Sequence, residues 1–391
     1  MPVTRLGWTV VALTAASGGL GWWFGWRELV VASGVGALVL GLSALYLVGA
    51  RAGEIQLQPE PSRLRAGDPA GHCLLTVVAP RGHHVPPNRI EVPIRVGGAA
   101  APPYPVDVAR VPAGGRSAPL ALPVPADRRG VVVVGPASVV RADPFGLLRR
   151  VLARSAGIEV YVHPQTVRVE PTGAGLLRDL EGRASRTLSA SDVAFYALRD
   201  YVPGDDLRHV HPLTSARVRR LVVRQFVDTR TAHLTIIVSG APAEYGDVDE
   251  FEVALSAGGS LALRAVDDGQ RVSVVAAGPT VATHSRRSRP LVLDGFSRAE
   301  LGAPDSSLVR LASHARQAVP ATSLVLLVAG TPLTIAQLGR AAVRFGPDVR
   351  VVGLRVAPAD PPAARRAGQL ALVTISSLAD LRSALRAAVQ E

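Results

Sequence analysis

The chain has 391 residues, room for two or three domains with cores of their own, and a formal charge of +12. That charge is all arginine, scattered among Ala, Val, Gly and Pro with no lysine, no basic block and no interleaved aromatic platform. The composition therefore argues against a nucleic-acid-binding face. A single cysteine, Cys73, excludes an intrachain disulfide and a cysteine-based zinc cluster, and leans mildly to the cytosol.

Residues 1–51 predict a transmembrane hairpin of two helices. No charged residue stands between Leu6 and Phe24 or between Leu29 and Ala50, and each run is long enough to cross a hydrocarbon core of about 30 Å. Only Gly25, Trp26, Arg27 and Glu28 separate the runs. All four tryptophans fall here, Trp8 near one end and Trp22, Trp23 and Trp26 at the turn, the belt positions expected at headgroup level. Gly21, Gly25, Ala32, Gly36 and Ser43 are small enough for close helix packing. One rival is a cleaved signal peptide with Arg5 as its charged region; no small-residue cleavage site precedes the second run. The other is a buried helix pair in a soluble core. Arg5, Arg51, Arg63 and Arg65 flank the outer ends, while Arg27 at the turn is offset by Glu28. The positive-inside rule then puts both ends, and the bulk of the chain, in the cytoplasm at the cell membrane.

Residues 52–165 read as a β domain, best fitted by a small immunoglobulin-like sandwich. Short apolar runs at Cys73–Val78, Ile90–Ile94, Leu120–Val124 and Val131–Val140 alternate with Pro/Gly-rich breaks. The first helix-period pattern of useful length in this region is Phe145–Arg154. His83 and His84 lie in a break, where a solvated loop is the simpler reading than a metal pair.

Residues 166–230 form a linker with a segment unlike either neighbour. Pro203-Gly204 favours a type II turn, with Asp205 and Asp206 directly after it. Arg199, Tyr201, Arg208, Arg217 and Arg224 surround that turn in sequence. An Asp/Arg network bracing the turn is the preferred reading. The alternative is a metal-assisted hydrolytic site using Asp205, Asp206, His209 and His211.

From residue 231 to 391 the rhythm changes. Leu234–Val238, Val272–Ala276, Ser323–Val328, Arg350–Leu354 and Leu370–Ile375 read as strands, with helix-like stretches at 248–266, 305–318, 333–345 and 378–389. This alternation predicts a parallel sheet covered by helices on both faces. Asp249 and Glu250 stand at a helix start and Gly346 after a helix end, as caps and the helix dipole favour. Ala257-Gly-Gly-Ser260 lies inside a helical pattern and lacks the lysine of a phosphate loop.

The stretch Leu198-Arg-Asp-Tyr-Val-Pro-Gly-Asp-Asp-Leu-Arg208, with Thr214-Ser-Ala-Arg217 and Val223-Arg-Gln-Phe226, resembles the signature of domain of unknown function 58. Arg128-Arg-Gly130, Gly135-Pro136, Asp143-Pro-Phe-Gly-Leu147 and Val160-Tyr-Val-His-Pro164 resemble the same family. There are departures: Pro212 and Leu213 stand where the family usually has Trp then Lys or Arg, and Val227 where it has Glu. The resemblance implies a C-terminal α/β domain like von Willebrand factor A, of Rossmann type. It also implies partners: AAA+ ATPases of the MoxR type and transglutaminase-like membrane proteins. Such domains often hold Mg²⁺ with an Asp-x-Ser-x-Ser motif after the first strand. Here Ser239 takes the place of the first Asp, and Leu326-Leu-Val-Ala-Gly-Thr331 carries no carboxylate, so a degenerate metal site without cofactor is expected. The functional expectation is a membrane-tethered, non-enzymatic adaptor.

Overall fold

The structure, a computed structural model, describes residues 3–48, 52–69, 71–97, 99–100, 102–169, 193–203, 205, 207–228, 233–284, 289–368 and 370–390. It divides into two compact units, Met1–His163 and Pro164–Glu391.

The first unit opens with helices α1 (Arg5–Phe24) and α2 (Arg27–Leu47). Thr4 caps α1 by accepting the Gly7 N–H at 2.9 Å. Gly25, at φ 71°, supplies the left-handed residue that reverses the chain. The helices pack through small residues: a Cβ on Gly21 would stand 2.9 Å from the Val30 nitrogen, and Ser33 donates to the Thr14 carbonyl at 3.0 Å. Large apolar side chains, including Trp8, Leu13, Trp22, Trp23, Val31 and Leu38, face outward. Among the described residues, Arg27–Leu47 is the helix long and apolar enough to cross a membrane.

Strands follow as β1 (Glu54–Glu60), β2 (Arg63–Arg65), β3 (His72–Val78), β4 (Asn88–Val92), β5 (Ile94–Val96) and β6 (Ala99–Ala100). They continue as β7 (Tyr104–Val108), β8 (Leu120–Pro123), β9 (Gly130–Val134), β10 (Ser138–Ala142), β11 (Arg149–Arg154) and β12 (Ile158–His163). Among the described residues these make sheets of order β1-β3-β8, β11-β10-β4-β7 and β2-β12-β9-β5-β6. Alternate side chains from all of them, among them Leu75, Ile90, Leu122, Val134 and Val160, share one core.

The helical pattern expected over Phe145–Arg154 is overturned. Arg149–Arg154 is strand β11, antiparallel to β10. The cause is Asp143, whose carboxylate accepts the Phe145 N–H at 2.9 Å and the Leu148 N–H. This closes a turn in competition with a helix, and Gly146 at φ 70° completes it. The same turn grips both N-terminal helices. Ser43 donates to Asp143 at 3.1 Å, and Thr4 Oγ1 donates to the Gly146 carbonyl at 2.7 Å. Arg150 reaches the Leu47 carbonyl at 3.2 Å, beside a buried cluster of Leu47, Leu147 and Leu148.

In the second unit, β13 (Val193–Asp200) pairs with β14 (Val222–Asp228), and the short helix α3 (Pro212–Val218) lies in the excursion between them. The main sheet comprises β15 (His233–Val238), β16 (Arg271–Ala276), β17 (Ala282–His284), β18 (Leu324–Ala329), β19 (Arg350–Val356), β20 (Ala363–Ala367) and β21 (Leu370–Ile375). Its order is β17-β16-β15-β18-β19-β21-β20, parallel inside with an antiparallel strand at each edge. The helices are α4 (Val248–Asp267), α5 (Arg289–Ser297), α6 (Leu308–Ala318), α7 (Ile335–Ala342) and α8 (Leu381–Gln390). Along β15, Leu234, Ile236 and Val238 pack with α4, α5 and α8, while Ile237 packs with α6 and α7. A strand buried on both faces reads as a continuous apolar run, which is why β15 and β18 were visible in the sequence. The chain runs from β15 outward to β16 and then returns to β18 on the other side. The order therefore reverses between β15 and β18, and the crevice beyond their C-terminal ends is where α/β sheets place a site.

Candidate functional site

The segments leaving the C-terminal ends of β15 and β18 line the crevice. Ser239, fully buried, comes directly after β15, and its N–H donates to the Val328 carbonyl at 3.0 Å. Its hydroxyl donates to Glu244 Oε2 and accepts the Ala241 N–H at 3.2 Å. Glu244 ends a single 3-10 turn, Pro242–Glu244, and also accepts the Leu308 N–H at 3.1 Å. It thus ties the end of β15 to the first turn of α6, where the helix dipole favours a carboxylate. Glu250 plays the matching part on the other side. Asp247 caps α4 by accepting the Glu250 N–H at 2.7 Å, and the buried Glu250 carboxylate turns toward the sheet. It accepts the Gly246 N–H at 2.8 Å, the Thr331 N–H at 3.1 Å and the Thr331 hydroxyl at 2.6 Å. The backbone must come close for this: a Cβ on Gly330 would lie 2.5 Å from Glu250 Oε2 and 2.6 Å from Tyr245 Cδ1. Tyr245 closes the ring by donating to the Ser239 carbonyl at 2.8 Å.

A magnesium ion takes oxygen ligands in near-octahedral array, usually with a carboxylate among them. All four carboxylate oxygens here already accept N–H or O–H donors. Oε2 of each glutamate takes two donors and has no lone pair left for a metal, while each Oε1 takes one. Among the described residues no group of three or more His, Cys, Asp and Glu is placed to hold a metal ion. Glu244 is a residue that sequence reasoning missed, and Glu250 was read only as a helix-start residue. The signal was local: Asp247-x-x-Glu250 is a helix-start pattern, but spacing does not say that Glu250 bends back to the sheet.

The turn around Pro203 is built differently. Arg199 grips Asp205 through two bonds of 2.6 Å each, and Asp205 also accepts the Val202 N–H at 2.9 Å. Hydrogen bonding from Arg199, then from Val202, holds the Asp205 carboxyl down at about 2. The same bond raises the Arg199 guanidinium above its ordinary value. Tyr201 donates its N–H to the Leu221 carbonyl at 2.9 Å, and Arg220 pairs with Asp200 at 2.9 Å. Arg217 is exposed in the last turn of α3. Pro203 is exposed in the turn; Gly204 and Asp206 lie outside the described residues, as do the side chains of Arg208 and Arg224. Of the four residues weighed as a metal cluster, Asp205 is engaged with Arg199, and His211 Nδ1 accepts the Thr214 N–H at 3.2 Å to start α3.

The second unit is thus a parallel α/β sheet protein whose switch point is latched by two carboxylates. Residues 197–329 match the family model described as Protein of unknown function DUF58. The stretch holds the Arg199–Arg224 motif and the crevice from Ser239 to Ala329, so the family resemblance is shown there. A solved structure described as von Willebrand factor type A from Catenulispora acidiphila is similar at 16% identity, over 42% of this chain and 43% of that one, with a TM-score of 0.27. The chain therefore spans less than half the length of that structure, and the α/β architecture rests on the strand order itself. No curated protein matches the chain.

Proposed function

We propose that this chain is a membrane-tethered interaction protein, without catalytic activity, whose α/β unit keeps its crevice in shape without metal. The observation that carries the reading is the use of Glu244 and Glu250 as internal hydrogen-bond acceptors, with Oε2 of each already taking two donors. Helices α1 and α2 both span the membrane as a hairpin, and the β domain is a sandwich of immunoglobulin-like type held close to it. The positive-inside reading of Arg5 and Arg51 puts the bulk in the cytoplasm. By family resemblance, the partners are a MoxR-type AAA+ ATPase and a transglutaminase-like membrane protein. In-membrane crosslinking followed by mass spectrometry tests this. An ATPase enriched over a control carrying only residues 1–51 is the expected result, and no enrichment would contradict it. A reporter fused after Glu391 tests the side: an extracytoplasmic signal would overturn the orientation.

A further inference from the structure

The excursion between β13 and β14 carries an unusual surface. Leu213 is 81% exposed and Leu207 65%, with Val218 and Leu221 also exposed. Four large apolar side chains bared within fifteen residues of chain are an uncommon exposure for a soluble surface and offer material for a binding face. Arg217 stands one helical turn after Leu213 on α3, and Arg219 follows; both are exposed. Of the arginines in this segment whose side chains are described, Arg199 and Arg220 pair with Asp205 and Asp200, which leaves Arg217 and Arg219 to face a partner. Apolar side chains that enter the acyl boundary, beside guanidinium groups that pair with phosphate, are the combination that binds an anionic bilayer surface.

We infer that this face rests on the anionic lipid surface of the membrane that tethers the chain. A tether holds the second unit at high effective concentration near the bilayer, so weak individual contacts suffice. Charge complementarity favours lipid phosphate over a neutral apolar partner. The inference relies on the tether proposed above, and the test separates the two.

The full chain, reconstituted in vesicles, is labelled with an environment-sensitive dye at Leu213→Cys. Cys73 is fully buried and its thiol is pushed up to about 11 by burial, so it stays unlabelled. A second labelled chain, Gln317→Cys on exposed α6 surface, is the control. The expected result is a blue shift and quenching by spin-labelled lipid at position 213 in phosphatidylglycerol-containing vesicles, absent in pure phosphatidylcholine and at position 317. Arg217→Gln with Arg219→Gln abolishes the shift, and lysine at both positions preserves it. Equal signals in the two lipid compositions, or equal signals at 213 and 317, would overturn the inference and leave a protein as the occupant of the patch. An alkaline wash of the same vesicles reports the tether separately: release of the chain counts against the anchor, whatever the dye shows.

Discussion

Glu250 and Asp205 both accept backbone N–H groups, yet one is buried at the edge of the sheet and the other sits in a turn at the surface. Glu250 joins α4 to the segment after β18, so its bonds bridge elements far apart in sequence. Asp205 bonds within six residues of itself. The difference teaches where a carboxylate matters to the whole fold. Removing a buried acceptor strands its donors away from water, whereas an exposed pair exchanges its bonds for hydration.

The largest effect should come from Ser239→Asp. It sets a second carboxylate against Glu244 in a fully buried place, and an uncompensated buried charge costs roughly 3–5 kcal/mol. Chemical denaturation would measure the loss. Added Mg²⁺ should restore part of it, because a divalent cation can bridge the two adjacent carboxylates of the variant. Glu250→Ala leaves the Gly246 and Thr331 donors without their acceptor, for a loss of about 3 kcal/mol. Gly330→Ala forces its Cβ against Glu250 and Tyr245 and should cost about 1–3 kcal/mol. A Gly330→Ala chain as stable as the parent would break the account of the crevice.

Asp205→Asn sits at the small end and should leave the global transition where it was. Its signature is local and depends on pH. The folded carboxyl lies near 2, below its ordinary 3.8. The bond's contribution is therefore full above pH 3.8 and lost as pH falls through about 2. Hydrogen exchange at the Val202 amide reads this directly: protection should drop on acidification in the parent and be low throughout in the variant. A protection factor at Val202 that stays constant across this range in the parent would show that Asp205 does not hold the turn.

Much of the α/β unit was legible in the sequence. Strands such as Leu324–Ala329 are buried on both faces, so they appear as unbroken apolar runs between polar helix starts. The edge strands Ala282–His284 and Ala363–Ala367 were not, since a short edge strand has little apolar pattern to betray it. Helix Arg289–Ser297 was also missed; it is only nine residues long and has a proline in its first turn. In the first unit the error at Phe145–Arg154 came from weighing periodicity above turn chemistry, although Asp143-Pro-Phe-Gly146 announced a turn. The crevice was half legible. Ser239 does follow the strand Leu234–Val238 that the apolar run predicted, but the carboxylate beside it was not foreseen. That Glu244 and Glu250 fill the gap depends on the folding back of Pro242–Glu244 and of the first turn of α4, which spacing alone does not contain.

A switch point braced by Glu244 and Glu250 should hold its shape without metal. Thermal unfolding of the full chain in detergent, with a chelator and then with Mg²⁺, Mn²⁺ or Zn²⁺, tests it most directly. The parent chain should unfold at the same midpoint in every condition. A rise with any of these ions that disappears in Ser239→Ala or Glu244→Gln would contradict it.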